Sequence, residues 1–363
     1  MQSRYFCLMA CIAIVSISAC EREAVQPTVE VVQDEAQPPV GFPVSCSREA
    51  TAAMQRGVAD LHNMMYITAR GVFEEAASAD PDCVMAHWGV AMTYIHPLWN
   101  DSPTDEQLGL MEARVRDAVA SGAPTPRERA YLNTVHAFFE NSRARTERER
   151  LTLFEAAWRD VYENFPNDLE AQAFYSLAYL ATADPNDKSY VIQNAAGAIA
   201  EGVLAAAPDH PGAHHYVIHS YDFPGLAERA LPVAMNYGNV APETAHPLHM
   251  MSHIFTRLGM WDESIEWNRR AADAAWKVSL EQGGQSSHYQ HALDYLGYAY
   301  LQKALDDRAL AIVAEANRLD LPYSNLNPGA LGYALSALPA RYALERRDWA
   351  AAAALEPNQP TEF

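Results

Sequence analysis

Basic residues are scarce in this chain. Lysine and arginine total 26 against 46 aspartates and glutamates, a formal net charge of −20. A chain so acidic repels nucleic-acid phosphates and anionic lipid head groups, which excludes nucleic acid as a partner. The densest basic stretch, residues 143–150, is interrupted by Glu147 and Glu149 and reads as a solvated helix start. Familiar catalytic signatures are absent as well. There is no His-Glu-x-x-His, so the usual metalloprotease layout is missing, and no Gly-x-Ser-x-Gly elbow or phosphate-cradling glycine loop. Strand-length runs of Val, Ile and Thr are few, which leaves an all-α chain as the expectation.

Long hydrophobic runs are also lacking, with one short exception at the N-terminus. Arg4 precedes an apolar stretch from Tyr5 to about Ile17, followed by Ser18-Ala19-Cys20. The stretch is too short for a stable membrane span, and small residues before a cysteine mark a processing site. Residues 1–19 resemble a bacterial lipoprotein signal. That resemblance implies cleavage before Cys20, lipidation of its thiol, and an envelope location facing the periplasm at the outer membrane. The alternative is an ordinary secretory signal with an incidental cysteine. Cysteine is rare: Cys7 and Cys11 leave with the signal, and Cys46 and Cys83 remain beyond the lipidated position. Those two either pair in an oxidising compartment or stay as buried thiols.

Residues 20–45 are rich in Pro, Gln, Val and Glu without a helical period, and predict a disordered tether. Residues 46–349 turn to Ala-rich amphipathic helices separated by Pro, Gly and Asn-Asp turns. Phe73–Pro81, Phe154–Pro166 and Ala205–Pro208 each end in a stop, and a new helix follows at Val84, Glu170 and Ala213. Helix, turn, helix and proline at this spacing predict a tetratricopeptide-type α-solenoid of stacked hairpins, whose core grows lengthwise. Residues 350–363 lose the period and predict a frayed end.

What the chain does have is histidine. There are 13, and nine lie between His210 and His291, which concentrates attention on that stretch. His215 and His219 are four apart, and His249 and His253 repeat them 34 residues later, the length of one tetratricopeptide repeat. With 100° per residue, His215, His219 and Asp222 share one face spanning about 60°, and so do His246, His249 and His253. A third helix carries His288, His291 and Asp294. Zinc, iron, copper and nickel accept neutral imidazole, often completed by carboxylate. The core ligand candidates are therefore His215, His219, His249 and His253 around one shared groove. Asp222, His246, His291 and Asp294 are further ligands or their supporting partners. Met250 and Met251 point away from the stripe and predict core packing. His62, His87, His96 and His136 are scattered and predict local packing or capping.

Two other readings of the stripe stand beside metal binding. The rings could hydrogen-bond one another, the aspartates, and Tyr216, Tyr221, Tyr295 and Tyr298 as a polar seam. They could also line a groove for a peptide or envelope protein, the non-catalytic scaffold use of this fold. Were the chain an enzyme, metal-assisted oxidation or hydrolysis is the class the residues suit. Ser220 and Ser252 each adjoin a stripe histidine, but neighbours on a helix point 100° apart, which argues against a serine nucleophile.

Several stretches resemble a bacterial family of tetratricopeptide-repeat proteins, lipoprotein-like and known mostly by fold. They are Phe42–Cys46, Leu61–Tyr66, Asp80–Gly89, His96–Trp99, His210–Asp222, His246–Gly259 and His291–Leu296, within a resemblance spanning Phe42 to Arg341. The resemblance implies that the first helices of the hairpins line a concave face and that the histidine stripe looks into it. The family pattern has alanine in place of His214 and proline in place of Met251, which argues against ligand roles for those two.

Overall fold

The structure, a computed structural model, describes residues 41–99, 101–284, 286–317 and 328–356. The signal segment, Cys20 and most of the tether lie outside these residues. Among the described residues every regular element is helical. The helices run in order as α1 (Arg48–His62) and α2 (Tyr66–Ala79), α3 (Val84–Met92) and α4 (Asp105–Ser121), α5 (Pro126–Phe139) and α6 (Glu147–Asn164), and α7 (Leu169–Leu180) and α8 (Val191–Ala206). Then come α9 (Pro211–Tyr221) and α10 (Ala227–Val240), α11 (Ala245–Leu258) and α12 (Trp261–Gln282), α13 (Ser287–Gln302) and α14 (Asp306–Ala316), α15 (Pro328–Glu345) and α16 (Trp349–Ala353). Each helix packs on the next through α14, and each odd-numbered helix from α7 to α13 also touches the following odd one. The protein is thus an all-α solenoid of stacked hairpins, with the odd-numbered helices from α7 to α15 forming one continuous row.

Local sequence explains the boundaries. Thr104, Thr125 and Thr146 start α4, α5 and α6 with reciprocal capping boxes closed by Gln107, Glu128 and Glu149. His210 caps α9 through its ring, ahead of Pro211, whose missing N–H costs nothing in the first turn. Gly259 ends α11 in the left-handed region at φ 72°, which turns the chain into α12 within two residues. Close helix approach depends on glycine. A side-chain carbon at Gly57 or Gly89 would overlap the Phe73 ring, and one at Gly212 would overlap the His62 ring.

An aromatic column forms the middle of the core. Trp88, Tyr131, Trp158 and Phe174 pack ring against ring, with centroids 5.0–6.5 Å apart. Phe42 is fully buried and stacks on Trp88 at 5.3 Å. Packing of the body therefore begins at Phe42, a few residues before the boundary at 46 read from composition. Composition describes an average, and one aromatic ring with a core slot outweighs it. At the other end α16 is a short helix without a buried residue.

Cys46 and Cys83 are joined in a disulfide with Cα atoms 5.0 Å apart, tying the segment before α1 to the start of α3. The bond closes a loop across a sequence separation of 37. Replacing both cysteines with alanine should lower stability by about 2–4 kcal/mol, because the reduced chain regains loop entropy when unfolded. Urea melts of the two proteins would measure it, and equal midpoints would count against that account.

The solenoid curls back on itself. The C-terminal end of α1 packs against α9, although its residues lie about 150 positions earlier in the chain. This closure brings His62 beside α7 and α9.

Candidate metal centre

The inner row brings its histidines together as two triads. His215 and His219 of α9 meet His246 from the first turn of α11, and His249 and His253 of α11 meet His291 of α13. In each triad one ligand nitrogen per ring lies within 4.8 Å of the other two. The four expected core ligands, His215, His219, His249 and His253, lie on one face but divide between the two triads. Each four-apart pair takes its third member from the next inner helix, because stacked helices are offset and the start of one faces the middle of the one before.

The hydrogen bonds at the back of each ring determine which nitrogen carries a lone pair. The Nδ1–H of His249 donates to Asn268 Oδ1 at 2.8 Å, and Asn268 Nδ2 donates in turn to Ser264 O at 2.7 Å. The Nδ1–H of His253 donates to Asp222 Oδ2 at 2.8 Å. Carbonyl and carboxylate oxygens only accept, so both protons sit on Nδ1. The two Nε2 atoms then face each other at 2.9 Å. Two lone pairs so close repel unless a proton or a metal ion lies between them. The Tyr295 ring walls this triad, 4.7 Å from His249 and 4.9 Å from His253.

In the first triad a partner fixes the tautomer of His215 alone, and His246 Nε2–H can donate to it. The Nδ1–H of His215 donates to the backbone carbonyl of His62 at 2.6 Å, which leaves Nε2 as a lone pair 3.2 Å from His246 Nε2. His219 Nε2 and His246 Nδ1 are buried without a hydrogen-bond partner. Buried imidazole nitrogens without partners are costly unless something else meets them. The Trp99 ring packs edge-on over His246 and His288, at 5.9 and 5.8 Å.

Burial keeps His215, His219, His246, His249, His288 and His291 neutral. It lowers His215 and His291 to about 3 and His288 to about 4, with neighbouring imidazoles adding to it at His215 and His291. His219, His246 and His249 are also held well below the ordinary 6.5, by burial first and by adjacent rings second. A neutral imidazole is the form that binds a metal. His219, His253 and His291 are the less buried members of the triads, though the His253 side chain is only 13% exposed and His219 Nε2 is buried.

The two aspartate candidates belong to neither triad. Asp222 sits behind His253 and also accepts from Arg257 Nε at 2.7 Å. Burial works against its charge, but His253 and Arg257 hold its pKa below the ordinary 3.8. It orients the His253 ring from behind. Asp294 is buried opposite Arg341, with Nε 3.3 Å from Oδ1, and burial lifts its pKa to about 6 against that guanidinium. On α13 it lies three residues past His291, which turns it toward α15, where Arg341 stands.

A third cluster was invisible to sequence spacing. His62, Glu170 and His210 converge from α1, α7 and the cap of α9. His62, expected as a local packing histidine, is instead the centre of a long-range network. Its Nε2–H donates to Glu170 Oε2 at 2.7 Å while its Nδ1 accepts from Tyr216 Oη at 2.8 Å. His210 Nδ1 accepts from the Ala213 N–H, which turns its Nε2 toward Glu170 Oε1 at 3.3 Å. Both rings therefore aim protons, not lone pairs, at the carboxylate. In this cluster both His62 nitrogens are hydrogen-bonded, while His210 Nε2 faces the carboxylate at ion-pair distance without a hydrogen bond. His62 and His210 do lie in the family-like stretches, the one signal that could have drawn attention to them.

No known family model matches the sequence, and no curated protein matches it. Among solved structures the chain is similar to the TPR domain of P58(IPK), at 10% identity over 84% of this chain and 90% of that one, with a TM-score of 0.22. The class of the protein rests on its own architecture: an α-solenoid of helical hairpins, of the tetratricopeptide kind, with histidines along its inner row.

Proposed function

We propose that this protein binds a transition metal on the histidine-lined inner face of the solenoid. The observation that carries the reading is the facing pair His249 Nε2 and His253 Nε2, 2.9 Å apart, each with its Nδ1 proton committed elsewhere. A proton would satisfy two nitrogens, but His291 brings a third to the same place. Three imidazole nitrogens and no carboxylate suit copper, zinc, nickel or iron rather than magnesium or calcium. Metal-assisted oxidation or hydrolysis is the chemistry such an ion would supply. Solenoids of stacked hairpins present extended concave surfaces for binding, so a protein partner along the same face is compatible with the fold. The Cys46–Cys83 bond fits the oxidising, envelope-facing location that the N-terminal segment and a lipid on Cys20 would provide.

Elemental analysis of tag-free protein tests the reading. Metal should copurify or load stoichiometrically, and the His249→Ala, His253→Ala double variant should lose most of it. Less than ~0.2 metal per chain after incubation with Zn²⁺ or Cu²⁺, unchanged in the double variant, would overturn it.

A further inference from the structure

We infer that the site takes two metal ions, one in each histidine triad, as a dinuclear centre; this rests on the metal reading above. The two triads share no residue, and each gathers its own three nitrogens within 4.8 Å. They are built to the same plan, a four-apart pair on one inner helix completed by one histidine from the next. α11 serves both. Its His246 completes the first triad, and its His249 and His253 found the second. A helix that supplies ligands to two sites three residues apart holds those sites side by side.

The triads are also in contact. The His219 ring lies 6.1 Å from that of His253, and the His246 ring 6.2 Å from that of His249. Within the triads the rings lie from 4.3 to 6.1 Å apart, so the widest pair matches the spacing between triads, but the three nitrogens of each triad stay within 4.8 Å. The nitrogens thus converge on two neighbouring points. One ion cannot collect all six, because metal–nitrogen bonds of about 2.0–2.1 Å require ligand nitrogens about 3–4 Å apart.

The two positions are unequal. His253 is backed by the Asp222 carboxylate, whereas His215 is backed only by the neutral carbonyl of His62. A carboxylate behind an imidazole makes it a better donor. The second triad should therefore fill first, and the positive charge it brings should weaken the first.

Stripped full-length protein, dialysed against Zn²⁺ and analysed for bound metal, tests this. Two ions per chain are expected, bound in two steps. His219→Ala should leave one, the tighter, and His291→Ala should leave one, the weaker; circular dichroism verifies that each variant is folded. Both residues are less buried than their triad neighbours His215, His246 and His249, and neither ring hydrogen-bonds the backbone, so they are the mildest substitutions in each triad. One ion per chain in the unaltered protein, lost in either variant, would overturn the dinuclear centre and leave the metal reading standing. Two ions unaffected by both substitutions would overturn it too, since the ions would then lie elsewhere. No bound zinc would overturn both readings.

Discussion

Glu170→Ala should destabilise the protein by about 3–5 kcal/mol, the cost of leaving buried hydrogen-bonded partners of a charge without it. Glu170 is 3% exposed, and its carboxylate receives His62 Nε2–H at 2.7 Å with His210 Nε2 at 3.3 Å. Alanine would strand both rings in the core and leave a void among them. The three residues come from α1, α7 and the cap of α9, so the loss falls where the solenoid closes on itself. Urea unfolding would measure it, and a change below about 1 kcal/mol would show that the network carries little.

The same carboxylate gives this prediction a pH signature. Burial pushes Glu170 up, but the two imidazoles outweigh it and hold its pKa at about 2, below the ordinary 4.5. A depressed carboxylate contributes stability that is fully present above 4.5 and lost as pH falls toward 2. The gap between the unaltered protein and Glu170→Ala should therefore narrow between pH 4.5 and 2. Histidines kept neutral by burial, such as His215 at about 3 and His288 at about 4, add a separate loss that begins below 6.5, where the unfolded chain takes up protons first. That limb should be common to both proteins.

Asp222→Asn should lower metal affinity ten- to a hundredfold with little change in fold stability. The carboxylate keeps the His253 proton on Nδ1 and so aims the Nε2 lone pair at the second triad. An amide can present either a donor or an acceptor there, and it removes the charge that strengthens the ligand. Asp222 lies at the end of α9 and is partly exposed, so its packing contribution is small. Competition against a chelator of known affinity would read the effect. An unchanged affinity would mean that Asp222 does not hold the ring. Arg257, which shares this carboxylate, would keep a neutral oxygen to donate to, so the local structure should persist.

Much of this molecule is legible along the chain. The breaks at Pro81, Phe165-Pro166 and Pro208 mark real hairpin turns, because proline and short polar stops act on the backbone where they stand. The stripe histidines do share faces, because 100° per residue is a local rule that packing does not alter. Met250 and Met251 are fully buried, as their angle from the stripe requires. His214 hydrogen-bonds the His210 carbonyl and stacks on Tyr237, away from both triads.

The sequence by itself determined the helices, the faces they present and the residue types gathered on those faces. Only the tertiary structure decided the partners. Spacing put four histidines in one groove, whereas the offset between stacked helices sorted six into two triads and turned Asp294 to Arg341. It likewise moved Asp222 behind a ring instead of beside a metal. His62 shows the limit most plainly. It reaches His215, Tyr216 and Glu170 across more than a hundred residues, through a curvature summed over four hairpins. Helical periodicity repeats every few residues and holds no record of that sum, so the closure of α1 on α9 exists only once the whole row has packed.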